Sequence, residues 1–158
     1  MIIVKKWLLL ILLVLVVLVG FPKKQITYPL SQSSDAIVTI EIVTIHDYRI
    51  INTGNFDMIE ISTTIDSTEH AAFLTAFESL CCYDSYGPSQ ECLEGNAVRF
   101  TYRDGAFEIV GAETSFYCNA EYDWSYSPYY FDYDEFNCFL GEIVRRQGTV
   151  LCLSLITA

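Results

Sequence analysis

The chain has 158 residues, 52% hydrophobic and 18% charged. That length suits one ordinary domain, and that composition is unlike a disordered acidic tail. The net charge of −11 is unevenly spread: residues 1–24 hold Lys5, Lys6, Lys23 and Lys24 and no acid, while the rest sets Arg49, Arg99, Arg103, Arg145 and Arg146 against all 20 acids. Such a body excludes a phosphate-neutralising surface, so no nucleic-acid partner is expected, and it repels anionic lipid head groups.

Residues 7–21 (WLLLILLVLVVLVGF) carry no charge and no polar side chain. As a helix they span about 22 Å, short of a hydrocarbon core of about 30 Å. Met1–Val4 extend the run if Lys5 and Lys6 snorkel. A cleaved signal peptide and a retained anchor compete for this segment. A small-x-small cleavage site is missing, because Leu18 stands two places before Gly20. The expectation is a transmembrane signal anchor over residues 1–24, followed by a polar linker over 25–35 and an α+β domain over 36–158.

From Ala36 the pattern turns to period two. Val38, Ile40 and Ile42 share one face of a strand, with Thr39 and Glu41 on the other. Tyr48–Ile51 and Phe56–Ile65 flank Thr53-Gly54-Asn55 and predict a hairpin. Asp66 and Glu69 have capping-box spacing, and Phe73, Leu74, Phe77, Leu80 and Cys81 form a helical stripe. Residues 83–95 contain Gly87-Pro88 and read as a loop. AVRFTY-RDGA-FEIV predicts two strands joined at Asp104-Gly105 as a two-residue turn. That register places Tyr102 opposite Phe107 and Phe100 opposite Ile109, with Thr101 facing Glu108 on the solvent side. Ser115–Cys118 predicts a further strand, and Asn119–Phe131 a long aromatic loop. Asp132 and Glu135 repeat the capping spacing for a second helix, with Phe136, Phe139, Leu140, Ile143 and Val144 as its apolar face and Gly148 as its end. Thr149–Thr157 reads as a last strand. Strands and helices do not alternate singly, so the expected fold is α+β: a mostly antiparallel sheet with two helices, preceded by the N-terminal transmembrane helix.

The order strand, helix, hairpin, helix, with a helix opening on DSTE and a later TYRDGAFEI hairpin, resembles uncharacterised small extracytoplasmic proteins of Gram-positive bacteria. Those carry a membrane or lipid anchor and one such domain. The resemblance covers residues 36–147. It implies a fold and a location and transfers no catalytic residue.

All six cysteines, Cys81, Cys82, Cys92, Cys118, Cys138 and Cys152, follow the apolar run. An even count beyond an export signal fits up to three disulfides in an oxidising compartment. The expected pairs are Cys81 or Cys82 with Cys92, Cys118 with Cys138, and Cys152 with the remaining vicinal thiol. No C-x-x-C is present for zinc or thiol exchange. No G-x-S-x-G elbow, phosphate loop or dinucleotide fingerprint is present either, and His46 and His70 are read as surface residues. The expectation is therefore a non-enzyme without a cofactor, with a cell-envelope hydrolase or a purely structural domain as the competing classes.

Tyr and Trp supply contact area at low entropy cost, so the acidic and aromatic stretch 116–135 reads as a recognition surface. Glu121, Asp123, Trp124 and Tyr126 are its candidate partner-binding residues. A protein or a cell-wall sugar is the expected partner, with the membrane held through residues 1–24. Calcium on the clustered carboxylates is a weaker alternative, because the EF-hand order of ligands is absent. The expected location is the cell membrane, single-pass, with the C-terminal domain extracytoplasmic.

Overall fold

The computed structural model describes residues 25–46, 59–84, 95–119, 121, 123–127 and 129–156. The anchor expected over 1–24, the hairpin turn expected at 53–55 and the loop around Cys92 lie outside them. Among the described residues no helix is long and apolar enough to cross a membrane.

The described chain opens with a short strand, β1 (Gln25–Ile26), and a single 3-10 turn at Ser34–Ala36. Strands β2 (Ile37–Ile45) and β3 (Ile59–Thr64) follow. Helix α1 (His70–Glu78) comes next, entered through a 3-10 turn at Ser67–Glu69. Asp66 caps that turn by accepting the Thr68 amide at 2.9 Å, which satisfies a donor that helix geometry leaves open. Then come β4 (Cys82–Asp84), β5 (Gly95–Tyr102), β6 (Phe107–Gly111), β7 (Ser115–Cys118), β8 (Trp124–Ser127), β9 (Tyr129–Phe131) and helix α2 (Tyr133–Ile156). Six strands form one sheet in the order β3-β2-β5-β6-β7-β8, and three form a second in the order β1-β4-β9. Every pairing among the described strands is antiparallel. The described residues form an α+β fold with two helices, as the patterns predict.

Both helices cover one face of the large sheet. Phe73, Phe77 and Leu80 from the first helix and Phe136 and Leu140 from the second pack with Ile40, Ile42, Val98, Phe100 and Val110. Burying each large side chain contributes about 1.5–3 kcal/mol. Phe77 is the hub, with ring centroids 5.3 Å from Phe100 and 5.4 Å from Phe131. A second buried cluster of Val43, Ile45, Ala97, Ile109 and Phe116 lies on the opposite face of the same sheet. The central strands are thus apolar on both sides, and strict alternation fails there. Against β5 the register shifts at Ile37/Thr39, which makes Val38 the extra residue on β2; against β3 it shifts at Ile42/Val43, where the extra residue is Ser62 on β3. Glu41 faces away from Ile40 and Ile42 as expected, yet it is buried because that second face is apolar too, while Val38 is 48% exposed.

Several expectations are corrected. The hairpin at 102–107 is a three-residue connection. The Gly105 amide donates to the Tyr102 carbonyl at 3.0 Å and the Tyr102 amide to Ala106 at 2.8 Å, with Gly105 at φ +88°. That geometry is a turn followed by a left-handed glycine bulge. It pairs Thr101 with Phe107 and Phe100 with Glu108, one residue away from the two-residue register, so Glu108 moves from the solvent side to the core side. The stretch expected as a linker, 25–35, is built into the fold: β1 pairs with β4, and Tyr28 is 3% exposed. The second helix does not stop at Gly148 but runs on to Ile156 in place of the expected last strand. A glycine inside a helix costs only about 1 kcal/mol, and a short apolar run is compatible with either structure. Val144, expected on the apolar face, is 37% exposed.

Candidate functional site

The segment expected as one long aromatic loop is instead a hairpin, β7 and β8 joined by residues 119–123, followed at once by β9. Asn119 organises the tip. Its Oδ1 accepts the amides of Glu121 and Asp123, both at 2.9 Å. Its own amide donates to the Asp123 carbonyl at 3.1 Å. This side-chain-built turn holds the two acids without help from the rest of the protein. Both Glu121 and Asp123 are exposed. Tyr126, 45% exposed, pairs with Phe116 in the adjacent strand. Trp124 pairs with Cys118 at the start of β8. The hairpin therefore brings Glu121, Asp123, Trp124 and Tyr126 to one end of the sheet. Of the later rings, Tyr129 and Phe131 pack toward the core, whereas Tyr133 is exposed.

Behind the hairpin lies a polar cluster that the strand pattern hides. Glu108 is 1% exposed. Its Oε1 accepts the Tyr28 hydroxyl at 2.6 Å, and its Oε2 accepts the Tyr102 hydroxyl at 2.7 Å and the Ser31 amide at 3.0 Å. The Tyr28 hydroxyl also lies 2.9 Å from Ser115 Oγ. Burial, and then the Glu108 charge beside it, push the Tyr28 phenol well above its ordinary range. The same two causes raise Tyr102. Both phenols stay protonated and serve as fixed donors. With no opening to solvent, this carboxylate is suited to holding the chain together and not to proton transfer with a substrate. Gln32 extends the network outward, donating to Asp104 at 2.9 Å and to Tyr117 at 3.0 Å. The alternation Ile26, Tyr28, Leu30 was the available signal for this strap, since all three side chains pack inward.

The cysteines are placed differently from the expected scheme. Cys81, Cys82, Cys118 and Cys138 carry free thiols. The Cys118–Cys138 bond is not formed. Cys118 pairs in register with Phe107, on the sheet face away from the helices, whereas Cys138 is exposed on α2. A bridge between them would have to pass around the sheet. Cys82 points into the core, where burial pushes its thiol up to about 12. The thiol of Cys81 is raised chiefly by its hydrogen bond with Glu135. Pairings through Cys92 and Cys152 lie outside the described thiols.

His46 sits 2.9 Å from Glu60 at exposed strand ends, and His70 Nε2 lies 3.3 Å from the Ile65 carbonyl. A groove of about 320 Å³ between the helices is lined by Phe73, Phe139, Ile143, Glu142 and Arg146 among others, and by neither histidine. Among the described residues no three His, Cys, Asp or Glu side chains gather into a metal-binding set. No family model, no curated protein and no solved structure matches the chain.

Proposed function

We propose that this protein is a membrane-anchored extracytoplasmic binding or sensing domain, held by residues 1–24 and engaging its partner through the β7–β8 hairpin. One observation carries the reading: the Asn119 turn holds Glu121 and Asp123 exposed beside Tyr126. A preorganised tip of this kind loses little entropy on binding. Acids beside aromatic rings fit a partner with basic and apolar groups, either a protein or an amino-bearing cell-wall sugar. The outward location is supported by the apolar run and by the concentration of acids beyond it.

The test is capture from intact cells by the full-length chain and by a Glu121→Lys/Asp123→Lys/Tyr126→Ala variant. The reading expects the parent to cross-link a partner, and the variant to lose it while keeping the parent melting temperature. Equal capture by both would overturn the site. Labelling of the exposed Cys138 by an impermeant thiol reagent on intact cells is expected, and protection until lysis would overturn the location.

A further inference from the structure

The small sheet β1-β4-β9 has two unlike faces. Ile26, Cys82 and Phe131 are register partners in one row and turn inward. Gln25, Tyr83 and Tyr130 form the adjacent row and turn outward, with the two tyrosine rings stacked at 5.5 Å. Both rings are half-buried. Tyr133, 60% exposed, opens α2 just beyond β9.

This outward row begins very near the apolar run in sequence. Only Pro22, Lys23 and Lys24 separate Phe21 from Gln25. Over its four Cα–Cα steps that spacer reaches about 6 Å beyond the run if helical and at most about 14 Å if extended. The head-group layer of one leaflet is about 5–8 Å thick. The chain then has no slack, because β1 pairs at once with β4 and Tyr28 is locked into the core two residues later. Neighbouring strands add only about 4.8 Å each. Tyrosine, with an apolar ring and a polar tip, is the residue type that settles at this depth.

We propose that the outer face of the β1-β4-β9 sheet lies on the bilayer surface, with Tyr83 and Tyr130 seated among the head groups of zwitterionic lipid. This inference rests on residues 1–24 being a retained anchor. Asp132 and Glu135 lie close enough to Tyr83 to act on it electrostatically, and they favour lipids that present a cationic group over purely anionic ones. The placement holds the large sheet close to the membrane, because only three residues separate Phe21 from Gln25.

The experiment uses the full-length chain in phosphatidylcholine vesicles whose acyl chains are brominated close to the head group, so that a nearby indole loses fluorescence. The chain has two tryptophans, Trp7 and Trp124. A Trp124→Phe variant leaves Trp7 to report the anchor. Trp7→Phe/Trp124→Phe/Tyr130→Trp reports the patch, Tyr83→Trp in the same background is a second reporter, and Ile61→Trp on the far strand β3 is the control. The proposal expects strong quenching of Trp7 and of the indoles at positions 83 and 130, with the indole at 61 unaffected. Quenched Trp7 with unquenched patch reporters would overturn the proposal and leave the anchor standing. Equal quenching at 61 would overturn it too, since the domain would then lie on the membrane without this orientation. Unquenched Trp7 would overturn the anchor itself, and the proposal with it.

Discussion

The contact between Tyr28 and Glu108 ties the segment that follows the apolar run to the centre of the sheet, so its removal is the most informative perturbation. Tyr28→Phe keeps the ring, stacked on Phe131 at 5.5 Å and edge-on to Phe77 at 5.9 Å. It deletes only the hydroxyl that donates to the buried carboxylate at 2.6 Å. A hydrogen bond to a charged acceptor is worth about 1.5–3 kcal/mol. No compensating water is expected, since the carboxylate is 1% exposed. A loss of about 2 kcal/mol lowers the urea midpoint by about 1 M at a slope of about 2 kcal/mol/M. Glu108→Gln preserves volume but forces its amide group toward one of the donors. The cheapest arrangement turns that amide to Tyr28, whose hydroxyl proton can then swing to Ser115 Oγ at 2.9 Å. In the glutamine background Tyr28→Phe therefore costs less, with a coupling of about 1 kcal/mol. The assay is equilibrium urea unfolding of the detergent-solubilised full chain for the parent, both single variants and the double. A Tyr28→Phe cost within about 0.5 kcal/mol of zero, or additivity of the two changes, would refute the reasoning.

Three further outcomes are expected. Arg99 Nε donates to Glu41 Oε2 at 2.7 Å, and Glu41 is 8% exposed. Arg99→Leu is expected to cost about 2 kcal/mol in the same unfolding assay by stranding that carboxylate, and adding Glu41→Leu to recover most of it. Cys138 is expected to react with a maleimide in the folded protein. Buried Cys82, whose thiol is pushed up to about 12, is expected to stay unmodified until urea opens the domain, as read by peptide mass mapping. The pH dependence of stability has two limbs. Tyr28 and Tyr102 are raised above their ordinary 10.0, so their contribution is complete below that value and is lost as pH rises through their folded values. Asp66 and Asp104 are lowered from 3.8, chiefly by hydrogen bonds from Thr68 and Ala106, so theirs is present above that value and is lost as pH falls through the folded values. Melting curves are expected to show a shallower alkaline limb for Tyr28→Phe and a shallower acid limb for Asp66→Asn.

The amino-acid sequence by itself determined the central strands and the starts of both described helices. The capping residues Asp66 and Asp132, the stripe through Phe73 and Phe77, and the paired strands around Arg103–Ala106 are local patterns, and each produces its element. The exposure of Glu121 and Asp123 is also locally set, because a turn built by one asparagine needs no distant partner, although the sequence pattern reads there as a loop. Tertiary structure decided the rest. A single glycine bulge at Gly105 shifts the hairpin by one residue, and period two then moves Glu108 from solvent to core. Tyr28 looked like part of a polar linker because the partners for its ring and hydroxyl, Phe131 and Glu108, lie about a hundred and about eighty residues away. Thr149–Ile156 could have been strand or helix on its own pattern, and as a continuation of α2 it extends a helix whose nucleation was already complete. Short-range patterns report the backbone's own preferences. Register, burial of polar groups and the partners of a strap are settled only when distant segments meet.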